Sequence, residues 1–172
     1  MQYVFNCLRR KYISERMQAV KTFLAGVPMS ERKQRYSEMT EAEKDAIFKI
    51  CKKFIWLSEK ARREGILAIE ENLDSLHEEI GGINGIFLQK LLYFVVDGTD
   101  GNIISYIANH YADSTCQNDY ERLSFAIILE GTLSLQNGDN PLILAERLTS
   151  YVGLSESDSF LERIYENYDR RR

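Results

Sequence analysis

The sequence predicts an all-α fold: a single-domain helical bundle of about six to seven helices with one long central helix. Three observations lead there. Charged residues are interleaved with apolar ones almost everywhere, Pro28 and Pro141 are the only prolines, and apolar positions recur at spacings of three and four. With 172 residues, 44% hydrophobic and 28% charged, the chain can bury a core and does not read as disordered.

Residues 1–39 form an N-terminal basic part, with a helix expected over 1–25, stopped by Gly26 and Pro28, and a connector after it. Charge divides unevenly: residues 1–40 hold eight basic and three acidic side chains, net +5, and residues 41–172 hold 14 and 23, net −9. That pattern fits a basic helix on an acidic body, or an arm for an acidic partner or membrane surface. Nucleic acid is not an expected partner, because the body's charge opposes a phosphate backbone.

Residues 40–172 form the helical domain. Thr40-Glu41-Ala42-Glu43 is a capping box, in which each end satisfies an otherwise unpaired backbone amide. Ile47, Ile50, Cys51, Phe54, Leu57 and Ala61 follow at helical spacing, then Ile66, Ile69, Leu73, Leu76 and Ile80. With Gly65 as the only breaker between them, the spacing predicts one long helix, kinked or continuous, over about 41–79, ended by Gly81-Gly82. A short apolar helix is expected over 84–96. Gly98 then suits a left-handed helix end, and Thr99 or Asp100 caps a helix over 100–111. Residues 112–118 are polar and read as a loop. Asp119 caps a helix of about 120–136 that ends at Asn137-Gly138, Asn140-Pro141 starts another, and a last helix covers about 157–169. Glu64-Gly65 and Glu130-Gly131 are followed by similar residues, and glycine there suggests two backbones in close approach.

Little in the sequence points to catalysis. His77 and His110 stand apart and outside any metal-binding spacing, and neither a nucleophile elbow nor a phosphate loop is present. Asp97-Gly98-Thr99-Asp100-Gly101-Asn102 lacks the length and terminal Glu of a calcium loop. Glu70, Glu71, Asp74, Glu78 and Glu79 read as a solvated helical face, not as an acid–base pair. Cys7, Cys51 and Cys116 read as reduced thiols. The longest apolar runs, Leu91–Val96 and Phe125–Leu129, fall far short of the roughly 20 residues that span a bilayer, and Arg9-Arg10 interrupts any secretory signal. The expectation is a cytoplasmic protein that is not an enzyme, binds no cofactor or metal, and works through protein contacts.

Three stretches together resemble the MotA flagellar stator family. Ala61-Arg62-Arg63-Glu64-Gly65-Ile66-Leu67-Ala68-Ile69-Glu70 is similar to its A-R-x-x-G-hydrophobic-L-A-L-E signature. Phe87-Leu88 with Val95-Val96-Asp97-Gly98-Thr99-Asp100 resembles its F-L…V-x-D-G-x-D segment. Ile128-Leu129-Glu130-Gly131 through Gln136-Asn137-Gly138-Asp139-Asn140-Pro141 is similar to its I-x-E-G…Q-x-G-x-N-P segment. The matches run in family order over roughly 41–151. Two membrane helices separate the second and third segments in the family, and here only the polar residues 112–120 stand between them. The resemblance therefore implies the stator's cytoplasmic helices without its ion channel or its MotB-binding membrane helices.

On that resemblance, Arg62 and Glu70 match an Arg and a Glu that contact the rotor switch protein FliG. In a continuous helix they would lie ~12 Å apart along the axis, with Arg63 closer to the line of Glu70. The implied function is a MotA-like accessory or regulatory interaction module of the flagellar motor, binding FliG or stator subunits, with a homo-oligomer also possible. A cytoplasmic helical scaffold or regulator with no motility role is the second class.

Overall fold

Thr40 opens the first long helix as the capping box requires. Its hydroxyl accepts from the Glu43 amide at 3.3 Å, and the Glu43 carboxylate accepts from the Thr40 amide at 2.8 Å. A computed structural model describes residues 36–169, with side chains to residue 166; the expected helix over 1–25, Cys7 and the Arg170-Arg171-Arg172 end lie outside the described residues. From Glu41 on, the described residues form seven α-helices and one 3-10 helix, and they contain no strand.

Helix α1 (Glu41–Glu64) buries Ile47, Ile50, Cys51, Phe54, Ile55, Leu57 and Ser58. It ends where the sequence offered one long helix, kinked or continuous. Gly65 takes φ 91° and ψ 161°, a region open essentially to glycine alone, and the chain turns into a 3-10 helix, Ile66–Asn72, before α2 (Leu73–Ile80). A straight helix over 41–79 would be roughly 58 Å long, well beyond the ~30–40 Å across which a domain of this size can cover an apolar seam. Turning at Gly65 brings Ile69, Leu73 and Leu76 back into the core, where each is at most 1% exposed.

Helix α3 (Gly82–Val96) packs closely on α2. A Cβ on Gly85 would stand 2.5 Å from the His77 carbonyl oxygen, so the approach of the two backbones depends on that glycine. Gly98 then closes α3 at φ 71°, and the Asp100 carboxylate caps α4 (Gly101–Thr115) by accepting from the Asn102 amide at 2.9 Å. Helix α4 runs four residues past the expected start of a loop at 112. Its stripe of Ile104 and Ala108 continues onto Ala112, which is fully buried, and Ser114 folds its hydroxyl back onto the His110 carbonyl. The connection left is Cys116–Asn118, and Asn118, one residue before the expected cap, accepts from the Glu121 amide at 2.9 Å.

Helix α5 (Asp119–Asn137) is the centre of the bundle. Every residue from Ser124 to Leu135 is buried, and the helix packs against α1, α3, α4 and α6. Such all-round burial is what an apolar helix without a polar face must find. Asn140-Pro141 starts α6 (Pro141–Thr149) with the expected cap, and α7 (Leu154–Asp169) lies on α6. Phe160 of α7 also meets Phe48 edge-on at 5.3 Å, and Arg163 pairs with Asp45 at 3.1 Å, so α7 reaches α1 as well. No helix among the described residues is long and apolar enough to cross a membrane.

Candidate functional site

Where α1, α3 and α5 end, their C-terminal residues enclose a cleft of about 460 Å³. Helix α1 and the start of the 3-10 helix contribute Ser58, Ala61, Arg62 and Ile66; α3 and its closing turn contribute Val95 and Gly98. The end of α5 contributes Leu135, Gln136, Asn137 and Gly138. All of these except Ser58 belong to the three stretches singled out in the sequence, which lie tens of residues apart along the chain.

The two turns that shape the cleft are tied to each other. The Gln136 side-chain amide donates to the Thr99 carbonyl, which joins the α5 end to the α3–α4 turn. Below, Ala61, Ile66, Val95 and Leu135 give an apolar lining. At the rim Arg62 is exposed and forms no ion pair among the described residues. An exposed guanidinium beside an apolar floor suits a protein surface that offers a carboxylate and an aliphatic or aromatic side chain.

The structure separates the three residues of the binding expectation. Arg62 lines the cleft, whereas Arg63 and Glu70 are exposed outside it. Arg63 sits 3.8 Å from Glu64, its neighbour in sequence. Because α1 stops at Gly65, the helical spacing between Arg62 and Glu70 no longer applies; Glu70 projects from the 3-10 helix. The acidic face expected from 70 to 79 is also partly engaged: Lys60 reaches Glu71 at 3.1 Å, Lys53 reaches Glu79 at 2.5 Å, and Gln89 donates to Asp74.

A second group went unseen in the sequence. Glu130, 5% exposed, lies in the buried run of α5, where Arg147 of α6 donates to it through both Nε (2.5 Å) and Nη2. The Nη1 of Arg147 donates to Asp139 at 2.9 Å, and the Ser134 hydroxyl donates to the same carboxylate oxygen at 2.7 Å. The Tyr151 hydroxyl completes the set on Glu130 at 3.4 Å. The signal was available in part. Glu130 directly follows the run Phe125–Leu129, and a carboxylate at a core position requires a cationic partner. Arg147 lies beyond a turn, so no helical spacing points to it.

Neither described thiol is an activated nucleophile. Burial pushes the Cys51 thiol far up and the Cys116 thiol up to about 11, away from the depressed values of reactive cysteines. His77 lies half-buried in the last turn of α2, and His110 stands edge-on to Tyr106 at 4.4 Å. Among the described residues no group of three His, Cys, Asp or Glu side chains is placed to hold a metal ion. No family model, curated protein or solved structure matches this chain.

Proposed function

We propose that the chain is a MotA-like accessory or regulatory module of the bacterial flagellar motor, acting in the cytoplasm and binding a rotor or stator protein through the surface around Arg62. One observation carries the reading: the three segments that resemble the stator family meet at a single cleft. The partner that the resemblance names first is FliG, with stator subunits as the other candidate.

Arg62 supplies a cation at the cleft that has no ion pair among the described residues, and Arg63 and Glu70 present exposed charges outside it. Charges of this kind govern encounter rate and choice of partner more than raw affinity. The module acts by contact, without catalysis and without ion conduction. Retention of purified cognate FliG, or of MotA cytoplasmic segments, by the immobilised chain tests the reading. Retention lost in Arg62→Glu supports it; no retention of either protein at micromolar concentration contradicts it. Swimming unchanged after gene deletion would favour instead a helical scaffold with no motility role.

A further inference from the structure

Arg147 lies outside the cleft yet is bound at both ends of the segment that forms one of its walls. Glu130 and Asp139 bracket the last two turns of α5, and the wall residues Leu135 to Gly138 lie between them. One guanidinium joins both carboxylates, while Ser134 holds the Asp139 oxygen from within the helix. The turn's backbone is closed by Gly138 N–H, which donates to the Leu135 carbonyl at 3.0 Å and also to that of Ser134, and by Asp139 N–H to Ser134 at 3.1 Å. From that turn the Gln136 side chain reaches Thr99, whose amide closes α3 on the Phe94 carbonyl at 2.8 Å.

We propose that Arg147 is a positioning residue for the cleft, clamping the Gln136–Asp139 turn between Glu130 and Asp139 and, through Gln136, steadying the facing Gly98–Thr99 turn. The proposal rests on the reading of the cleft as the binding surface. The clamp depends on the shape of the guanidinium, which donates in two directions at once from a rigid plane. A lysine at the same place offers one compact ammonium and cannot bridge both carboxylates with the same geometry. The clamp acts on the wall and not on the core, since the amides within α1 and the middle of α5 are held by their own helices.

Amide hydrogen exchange in Arg147→Lys tests this without any partner. The Gly138 and Asp139 amides are expected to exchange at least about tenfold faster, Thr99 by a smaller factor, and Phe54 and Leu57 in α1 at wild-type rates. Equal acceleration at all these amides would overturn the proposal, as a plain loss of global stability, and so would unchanged rates at Gly138 and Asp139. Asp139→Ala leaves Glu130 paired with Arg147 and serves where Arg147→Lys folds poorly; it must raise exchange at Gly138 and Thr99 without touching α1. Gln136→Ala must speed Thr99 and leave Asp139 alone, and equal effects on both would contradict the proposed order. A wild-type chain that retains no partner sinks the binding reading but leaves the exchange result standing, so the two failures are distinguishable.

Discussion

The two Glu-Gly pairs show how one dipeptide can serve two physical needs. Gly65 is required by its backbone: nothing lies within 4 Å of the place a Cβ would occupy, but φ is 91°. Gly131 has the opposite requirement, because a Cβ there would stand 2.5 to 2.6 Å from three ring carbons of Phe54. The close approach expected at both glycines is thus a side chain resting on a backbone, and it occurs at one of them. Gly131→Ala is expected to cost ~1–3 kcal/mol in denaturant unfolding, the usual range for overpacking a filled core. Combined with Phe54→Leu, the cost should be less than additive, because the two changes act on one contact. A fully additive pair would contradict the packing described.

Titration at single residues gives a second expectation. Hydrogen bonds with the Thr40 side chain and backbone hold the Glu43 carboxyl below its ordinary 4.5. A depressed carboxyl contributes stability above its unfolded value, and that contribution disappears as pH falls through the folded one. At the other end of the scale burial, helped by Glu156, raises the Tyr36 phenol from 10.0 to about 12. Its contribution is complete below pH 10 and declines between there and about 12. Urea unfolding followed across pH should therefore show a shallower acid limb in Glu43→Gln and a shallower alkaline limb in Tyr36→Phe. The alkaline change is partial, since burial raises Tyr165 and Cys116 in the same direction.

At the scale of elements, the ends marked by local chemistry were readable and those set by tertiary packing were not. Thr40, Asp100, Gly138 and Asn140-Pro141 act where the sequence places them, because caps are decided by a side chain and the amides two or three residues away. Residues 112–115 are polar enough to resemble a loop, yet Ala112 is held in the core and keeps the helix going. Gly65 was legible as a breaker, but a full stop of the helix there was not, because the apolar spacing continues across it. Two features accompany that break, the Gly65 backbone and the Lys60 link to Glu71. The backbone should dominate. Gly65→Ala is expected to cost ~1–3 kcal/mol for a side chain in a glycine-only region. Lys60→Met is expected to cost less than ~1 kcal/mol, as for an exposed ion pair. Thermal or urea unfolding of both variants checks the order, and a larger loss in Lys60→Met would contradict it.

For the molecule as a whole, the all-α class followed from periodicity, while the site followed only from the way the helices meet. Ala61, Val95 and Gln136 have no local relation in sequence; they share a cleft because α1, α3 and α5 all end on the same side of the bundle. The three segments of the resemblance converge on the cleft, which the sequence did not show, and the helical spacing expected from Arg62 and Arg63 to Glu70 is removed by the turn at Gly65. The Arg147 clamp was out of reach for the same reason, its carboxylates lying on both sides of a turn. The acidic balance of residues 41–172 makes Arg62, which has no ion pair among the described residues, more distinctive, since it offers a local positive charge on a negatively charged body.

That surface is where the proposed function is decided. Calorimetric titration of purified cognate FliG into the wild-type chain and into Arg62→Glu, each at low and moderate salt, is the most direct measurement. The account predicts micromolar binding by the wild type that weakens with salt, and at least about tenfold weaker binding by the variant at unchanged thermal stability. Binding of equal strength by both chains would contradict it.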